Sequence, residues 1–404
     1  MFMEFNQMNA MFLKPTCLDF FAGSGLVAEG LKGFFQTIWA NDICEKKAKV
    51  FCANHDKEIF HLGSIEQVRG DDLPTAILSW GSFPCQDLSL AGNIGGIFSS
   101  RSGLVWQWLR VMDELSRKPP LAVAENVIGL VSAAKGEHYR KLHDALVERG
   151  YKVGAVVLDA SQWVPQSRKR VFVIAVDNEI PTEPFETDHP IWCHPASIIR
   201  VAGGLENWVW WNLPKPKARQ TRLDDLIDFN ATCDEPEKQE RLLSLVPENH
   251  REKMTLTENS PKSVFPGYKR MRHGRQVLEL RFDGVAGCLR TPQGGSSRQF
   301  LVIKENDSVK TRLLTVMEAA ALMGAHKTYK IPGTYNDGYR AMGDAVAVPV
   351  SRYLAETLLS PLAKLVKDFL LDSPLQPVWQ MSQTMACTKL ANSLRRDGEL
   401  LPSN

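Results

Sequence analysis

The chain has 404 residues, of which 44% are hydrophobic and 23% charged, and its formal net charge is +2. This composition is typical of a folded protein of two or three domains, and it excludes disordered, collagen-like and disulfide-scaffold classes. No apolar run approaches the roughly 18 residues of a membrane helix, and the first residues lack the features of a signal peptide, so we expect a soluble protein.

Residues 16–176 alternate short β-rich runs with helical patterns. The predicted strands lie at 16–21, 37–41, 75–81, 121–125, 151–158 and 170–176, with helices at 25–32, 44–54, 103–116 and 136–149. Strands separated by helices predict an α/β fold with a doubly wound parallel sheet that binds ligands at the carboxyl ends of its strands. The last two strands, which no helix separates, predict an antiparallel hairpin on this otherwise parallel sheet.

Residues 180–311 lose this alternation and predict a second, irregular domain. Within and just beyond them, the stretch 262–312 holds eleven Lys and Arg against four Asp and Glu. Such a basic stretch is either a solvated surface or an electrostatic footprint for nucleic-acid phosphate. Helical patterns return at 315–323 and 346–359, and the final 35 or so residues predict a helical tail.

Residues 18–25 (LDFFAGSG) follow the first predicted strand and open the first helix. Their two glycines allow a tight turn at which helix N–H groups face a ligand. Asp42 ends the second predicted strand, where a carboxylate can accept hydrogen bonds from ribose hydroxyls. The pattern favours a nucleoside cofactor without a pyrophosphate, and a purely structural turn is the alternative.

Three further segments carry side chains suited to catalysis. Cys85, in residues 81–89 (GSFPCQDLS), follows a strand in a polar loop, a setting that displays nucleophiles, although most single cysteines are inert core thiols. The next strand ends at Glu125, which alone is typical of a helix cap. In residues 165–170 (PQSRKR), period-two alternation puts Arg168 and Arg170 on one face, which alone is typical of a charged surface.

Together, in this order and spacing, these segments resemble the DNA (cytosine-5) methyltransferase family. Residues 312–324 and 343–350 are similar to two further motifs of that family. The resemblance implies an S-adenosylmethionine-dependent, Rossmann-like methyltransferase sheet with an inserted, smaller target-recognition domain. The implied divisions are 1–186 for the first part of the catalytic domain, 187–315 for target recognition, 316–365 for the hinge and return, and 366–404 for a tail.

The resemblance also implies the chemistry. Because cytosine C5 is a poor nucleophile, the thiolate of Cys85 would add to C6 and make C5 reactive toward a sulfonium methyl group. Glu125 would hydrogen-bond or protonate N3, Arg170 would hold the O2 carbonyl, and Arg168 would brace the same pocket. The base would first be flipped out of the duplex into this crevice.

The implied cofactor is S-adenosylmethionine, with S-adenosylhomocysteine as the product and no metal ion. Eight cysteines without a CxxC pair likewise favour reduced thiols over a zinc site. Ile43, Ser64 and Asp344 stand where the family often has an aromatic residue, an acid and an asparagine, and we interpret these differences as tuning. The implied cofactor-binding residues are Phe21, Gly23, Ser24, Gly25, Asp42, Ile43, Ser64, Ile65, Pro84, Asp344 and Ala345.

DNA contacts are expected from two regions. The segment 86–103 would be a mobile loop that closes over DNA. Residues 289–299 (LRTPQGGSSRQ) combine glycines with arginines and glutamines that can read guanine and adenine edges, although a solvated hairpin is the alternative. The implied DNA-binding residues are Gln86, Ser89, Arg101, Arg290 and Arg298.

The sequence thus predicts a monomeric, cytoplasmic enzyme, bacterial or phage-encoded, that methylates a specific site in double-stranded DNA and has no membrane partner. It would act beside a cognate restriction endonuclease or as a solitary methylase. A tRNA cytosine-5 methyltransferase on the same scaffold is the first alternative, and the long basic insert disfavours it. A DNA-binding protein with an inactive site is the second, and the intact Cys85 and Glu125 disfavour it.

Overall fold

The computed structural model describes residues 14–84, 103–255, 262–290, 298–306 and 308–372. These ranges form two β-sheets surrounded by helices. The larger sheet contains β1 (Thr16–Phe20), β2 (Gln36–Asp42), β3 (Phe60–Leu62), β4 (Leu78–Gly81), β5 (Leu121–Asn126), β6 (Tyr151–Asp159) and β7 (Lys169–Asp177). The smaller sheet contains β8 (Lys262–Arg272), β9 (Arg275–Leu280), β10 (Phe300–Glu305) and β11 (Ser308–Leu313).

Helices pack around both sheets, and none within the described ranges is long and apolar enough to cross a membrane. The helices of the first half are α1 (Leu26–Leu31), α2 (Glu45–Asn54), α3 (Leu104–Glu114), α4 (Gly129–Ser132), α5 (Glu137–Val147) and α6 (Ala196–Ala202). Those of the second half are α7 (Pro236–Leu243), α8 (Glu248–Thr255), α9 (Val316–Leu322), α10 (Tyr335–Asp344), α11 (Val348–Leu354) and α12 (Ser360–Asp372).

The larger sheet has the strand order β3-β2-β1-β4-β5-β7-β6, and its first five strands pair in parallel. β7 pairs antiparallel with both β5 and β6, so the predicted antiparallel hairpin is confirmed. Because β7 runs against β5, its amino end lies beside the carboxyl end of β5. This topology brings Arg170 on β7 next to Glu125 on β5.

The central strands of the larger sheet, β1, β4, β5 and β7, are buried on both faces along most of their length. Along β5, Leu121 and Val123 belong to one buried apolar cluster, whereas Ala122 and Ala124 belong to another. Two-sided burial is typical of parallel sheets covered by helices, and a fully buried Leu or Val contributes about 1.5–3 kcal/mol. The core therefore fixes the strand ends at which the polar residues of the site lie.

The last helices complete the core of the larger sheet. α11 packs against α1 so closely that a Cβ at Gly30 would lie 1.9 Å from the Ser351 hydroxyl oxygen. Only glycine permits this contact. Leu26 and Leu31 of α1 belong to the same buried cluster as Val348 and Leu354 of α11. The chain therefore returns to the first sheet after the second one.

The second sheet is antiparallel and has the order β11-β10-β8-β9. The prediction of an irregular segment was wrong for these residues. One face of the sheet packs with Leu242 and Met254 of the preceding helices, and it includes Phe265, Leu278 and Val302. In β8 the residues 264–268 are all buried and include Pro266 and Gly267, and basic residues follow at 269, 270 and 272, so the sequence lacks the two-residue alternation that marks a strand.

A buried ion pair joins the second sheet to α9. The Arg312 guanidinium donates to the Glu318 carboxylate at 2.7 and 2.5 Å, and both side chains are 3% exposed. Arg312 also donates to the Asp228 carbonyl, and Glu318 accepts from the backbone amides of Asp228 and Thr315. Every partner lies at a junction between the insert and the returning helices, so this pair fixes how the two parts are joined.

Replacing Arg312 by methionine should lower the free energy of unfolding by about 3–5 kcal/mol, because the Glu318 carboxylate would remain buried without its partner. Urea denaturation followed by circular dichroism measures this change. Arg222→Met is the matched control, because the Arg222–Asp224 pair lies at the surface and contributes little. Equal stability of the Arg312 variant and the wild type would contradict the assigned role.

Candidate active site

The turn after β1 holds an unusual backbone conformation. Phe21, Gly23 and Gly25 have φ angles of 57°, 56° and 82°. A positive φ is costly for phenylalanine, and such strain concentrates at ligand sites. A Cβ at Gly25 would lie 2.6 Å from the His55 ring, so glycine is required there. The sequence LDFFAGSG therefore forms a tight turn at the carboxyl edge of the sheet.

Asp42, at the end of β2, is oriented by two backbone amides. Its Oδ2 accepts a hydrogen bond from the Gly23 amide at 3.0 Å, and its Oδ1 accepts from the Cys44 amide at 2.8 Å. Each carboxylate oxygen retains a further lone pair for a ligand. The end of β2 and the turn after β1 thus form one preorganised unit.

An apolar surface lies beside Asp42. The side chains of Ile43 and Leu62 are 72% and 54% exposed, although most large apolar side chains of this domain are buried. Such a surface suits the face of a flat ligand ring. Ile65 is buried below, and the Ser64 hydroxyl caps a short turn by accepting from the amide two residues on.

The other residues with an implied cofactor role lie among protein partners. The Ser24 hydroxyl is buried and donates to the Ala341 carbonyl at 3.1 Å. The Asp344 carboxylate forms an ion pair with Lys47 at 2.7 Å. Burial lowers the pKa of Lys47, but the Asp344 and Asp42 carboxylates outweigh it and raise the pKa overall. Lys47, which the sequence reasoning missed, thus balances the charge that Asp344 adds.

Asp19 is a second residue that the sequence reasoning missed. It lies within β1, is fully buried, and neither carboxylate oxygen has a hydrogen-bond partner among the described residues. Burial, and then the nearby Asp42 carboxylate, raise the pKa of Asp19 well above its ordinary value. A buried polar group without a partner costs free energy, so this carboxyl group has the capacity to receive a donor from a ligand. The sequence signal that could have identified Asp19 is an acidic residue within the otherwise apolar run of β1.

The ends of β5 and β7 bring two opposite charges together. Arg170 Nε lies 3.1 Å from Glu125 Oε1, and Glu125 is 6% exposed. Burial raises the pKa of Glu125, and the opposing effects of the Arg170 and Arg168 guanidiniums are smaller. The Glu125 carboxyl therefore retains its proton to a higher pH than a free glutamate does.

The segment that leads to Cys85 is attached at the same place. The Asn126 side-chain amide donates to the Phe83 carbonyl at 3.1 Å, and its Oδ1 accepts from the Val127 amide at 2.8 Å. Asn126, whose role the sequence reasoning missed, thus fixes Phe83 beside the end of β5. Four residues with implied roles lie outside the described residues, namely Cys85, Gln86, Ser89 and Arg101.

Arg168 binds backbone carbonyls through the two terminal nitrogens of its guanidinium, whereas its buried Nε has no hydrogen-bond partner among the described residues. Its guanidinium, only 2% exposed, donates to the carbonyls of Leu289 at 3.0 Å, Gly343 at 2.9 Å and Ala345 at 2.6 Å. Its Nη1 also lies 3.4 Å from the Cys288 sulfur. Arg168 therefore supports the backbone segments around Leu289 and 343–345, and its charge also acts on the Glu125 carboxyl.

Cys288 is a thiol near these charges that the sequence reasoning missed. Burial opposes its ionisation, but the Arg168 and Arg170 guanidiniums outweigh burial and lower the pKa of the Cys288 thiol.

The two arginines with an implied DNA role have different surroundings. Arg290 is exposed, whereas Arg298 donates to the Asn336 side chain at 2.7 Å. Residues 291–297 lie outside the described ranges.

No group of three His, Cys, Asp or Glu side chains among the described residues could hold a metal ion. The polar groups of the site instead form two adjoining sets at the carboxyl edge of the larger sheet. One set surrounds Asp42 and the turn after β1, and the other surrounds Glu125 and Arg170. The first can hold a nucleoside with an attached cation, and the second offers a proton donor beside a fixed positive charge.

Comparison with known proteins identifies the family. A family model described as C-5 cytosine-specific DNA methylase matches residues 15–360. The type II methyltransferase M.MthTI of Methanothermobacter thermautotrophicus is 28% identical, over 85% of this chain and 97% of that protein. The type II methyltransferase M.Bsp6I of Bacillus sp. (strain RFL6) is 23% identical, over 84% of this chain and 96% of that protein.

Solved structures show the same fold. The S. pombe Dnmt2 methyltransferase superposes with a TM-score of 0.57 at 17% identity, and covers 87% of this chain and 99% of its own. A putative DNA modification methyltransferase encoded within an E. coli prophage gives 0.51 at 19% identity, with coverages of 88% and 100%. Because the family model spans most of the sequence, the chain belongs to the C-5 cytosine-specific DNA methylase family and is a DNA (cytosine-5) methyltransferase.

Proposed function

We propose that Cys85 is the nucleophile of this enzyme and that Glu125 and Arg170 bind the target cytosine in double-stranded DNA. The buried Glu125–Arg170 pair carries the proposal, because it lies beside the segment that leads to Cys85. The Cys85 thiolate would add to C6 as N3 takes a proton, and the methyl carbon would pass to C5 as its bond to the sulfonium sulfur breaks. Transfer of the C5 proton to a base would then expel the thiolate and restore the aromatic ring.

Glu125 and Arg170 divide the polar edge of the base between them. The raised pKa of Glu125 keeps a proton available for N3, where negative charge develops during the attack on C6. The Arg170 guanidinium, fixed against Glu125, offers donors to the O2 carbonyl. The proton donor and the guanidinium are both in place before the base arrives, which lowers the reorganisation that the reaction requires.

The family uses S-adenosylmethionine, which supplies an electrophilic methyl group when bound. We propose that Asp42 accepts from its ribose hydroxyls and that Ile43 and Leu62 pack against its adenine. The unpaired Asp19 carboxyl supports this fit, because a cationic ligand would provide the donor that it lacks. Glycine at both positions 23 and 25, where φ is positive, leaves this part of the turn without side chains.

Asp42→Ala should weaken binding of S-adenosylmethionine about tenfold to a hundredfold, because a charge-assisted hydrogen bond contributes about 1.5–3 kcal/mol. Isothermal calorimetry measures this affinity directly, and DNA affinity without cofactor should barely change. Asp56→Ala is the matched control, because that exposed carboxylate only caps a short turn. Unchanged cofactor binding in Asp42→Ala would mean that the ribose is held elsewhere.

We propose that residues 187–315 recognise DNA, with 1–186 and 316–365 as the catalytic domain. The β8–β9 hairpin supports this division. His273 and Gly274 form its turn with φ angles of 49° and 74°, and residues 271–276 are all exposed. The hairpin carries Arg270, Arg272 and Arg275, and a two-stranded ribbon of this kind fits a DNA groove.

Arg275→Gln should weaken binding to all DNA sequences alike and reduce the slope of log affinity against log salt by about one, because one phosphate contact is lost. Fluorescence anisotropy at several salt concentrations measures the slope. Arg251→Gln is the control, because Arg251 donates to carbonyls of the helical part of the insert. An unchanged slope in Arg275→Gln would exclude the hairpin tip from the phosphate contacts.

We propose that the enzyme acts as a monomer in a bacterial cytoplasm, within a restriction-modification system or as a solitary methylase. Bacterial relatives that are named type II methyltransferases support the restriction-modification setting. Transfer of radioactive methyl groups to duplex DNA and to tRNA, measured side by side, tests the substrate. Labelling of duplex DNA supports the proposal, and labelling of tRNA alone would replace it with the RNA alternative.

A further inference from the structure

Three distant segments of the chain meet at Arg168. They are the segment that leads into β7 (165–168), the insert segment (286–289) and the return segment (343–345). Two backbone hydrogen bonds join the first of these to the insert segment, from the Ser167 amide to the Ala286 carbonyl at 2.9 Å and from the Ala286 amide to the Pro165 carbonyl at 2.8 Å. The return segment includes Asp344, which forms an ion pair with Lys47. Lys47 in turn lies beside Gly23 in the turn after β1.

The two ends of the Arg168 guanidinium bind different segments. Nη1 donates to the Leu289 carbonyl of the insert segment, whereas Nη2 donates to the Gly343 and Ala345 carbonyls of the return segment. The guanidinium is planar and rigid, so a shift of one segment changes the geometry at the other. Burial makes loss of either set of hydrogen bonds costly, because water cannot replace them.

Gln166 provides an informative contrast. Its side chain is also fully buried and also holds the insert segment, because its Oε1 accepts from the Leu289 amide at 3.1 Å. Its Nε2, however, donates to the Leu322 carbonyl at the end of α9. Gln166 therefore attaches the insert to the catalytic domain without contacting the return segment.

We propose that Arg168 is a positioning residue that couples cofactor binding to DNA binding. Cofactor binding beside Asp344 orders the return segment, and Arg168 transmits this order to the insert segment, which leads into the exposed Arg290. By linkage, DNA strengthens cofactor binding by the same factor. This inference rests on the proposed function, in which the cofactor binds near Asp344 and DNA binds to the insert.

The test compares DNA affinities with and without saturating S-adenosylhomocysteine. In the wild type, the product should strengthen binding to a fluorescent duplex that carries the methylated site by about tenfold, within the usual range of such coupling. In Arg168→Gln and Arg168→Lys, the gain should fall to about threefold or less. A lysine ammonium is too compact to span both segments, so Arg168→Lys tests geometry at constant charge. Gln166→Leu should weaken DNA binding but retain the full gain.

Hydrogen exchange on the wild type provides a test that needs no variant. S-adenosylhomocysteine alone, without DNA, should slow amide exchange in peptides that cover residues 286–290. Three results would each overturn the coupling. They are unchanged amide exchange at residues 286–290, a wild-type DNA affinity that S-adenosylhomocysteine does not increase, and the full increase in DNA affinity in both Arg168 variants. Failure of the wild type to bind S-adenosylhomocysteine or DNA at all would instead overturn the proposed function.

Discussion

Cys85→Ser should abolish methyl transfer to DNA while leaving binding of S-adenosylmethionine intact. A serine hydroxyl does not ionise near neutral pH, so it cannot add to C6 as a thiolate does. Transfer of radioactive methyl groups measures the loss, and calorimetry measures the cofactor affinity. Methyl transfer by Cys85→Ser at the wild-type rate would show that Cys85 is not the nucleophile.

A duplex with 5-fluorocytosine at the target position makes this test structural. Fluorine at C5 cannot leave as a proton, so the wild type should remain covalently bound to the base. Mass spectrometry should find the base on the peptide that contains Cys85. Cys288→Ser is the matched control, because Cys288 is another thiol whose pKa is lowered by nearby arginines, and this variant should still form the adduct. Adduct formation by Cys85→Ser would contradict the assignment of Cys85 as the nucleophile.

Glu125→Gln should reduce kcat by about a hundredfold or more while DNA affinity changes little, because a positioned general acid typically contributes about 10²–10⁴-fold. Glutamine retains a hydrogen-bond donor for N3 but cannot deliver a proton. Single-turnover kinetics separate this step from binding and release. Glu114→Gln is the control, since Glu114 also pairs with an arginine but lies on α3. A wild-type kcat in Glu125→Gln would contradict the role.

The pH dependence of the same pair of proteins adds a second readout. Burial raises the pKa of Glu125, so the protonated form persists above the ordinary range and is lost as the pH rises through the raised value. The wild-type kcat should therefore fall on the alkaline side of its profile. Glu125→Gln should lack this fall, because it has no proton to lose there. An identical alkaline fall in both proteins would assign it to another group.

The sequence predicted most strands and helices of the first half, because the signals for them are local. Alternating apolar runs and turn residues define β1, β2, β4 and β5 and the longer helices between them. The three-residue edge strand β3 was not predicted. The hairpin of β6 and β7 was also predicted. What was not predicted is that β7 lies between β5 and β6, and this arrangement places Arg170 against Glu125. Strand order depends on pairing between distant residues, which periodicity does not encode.

The second sheet and several site residues were missed for a related reason. In β8 a continuous buried run at 264–268 contains Pro266 and Gly267 and shows no two-residue alternation, so the pattern resembles a loop until β10 pairs with it. The ion pair of Lys47 and the hydrogen bonds of Arg168 join residues more than a hundred positions apart. By contrast, Asp42 and Glu125 end strands within recognisable motifs, so local sequence was enough to find them.

Bisulfite sequencing of DNA from a bacterial host without cytosine methylases, expressing either the wild type or Cys85→Ser, decides whether this enzyme methylates cytosine in DNA through Cys85. We expect the wild type to protect one cytosine, at a fixed position within a short recurring sequence, and Cys85→Ser to protect none. Absence of protected cytosines in cells that contain the folded wild type, while tRNA or another substrate carries the new methyl group, would contradict this assignment.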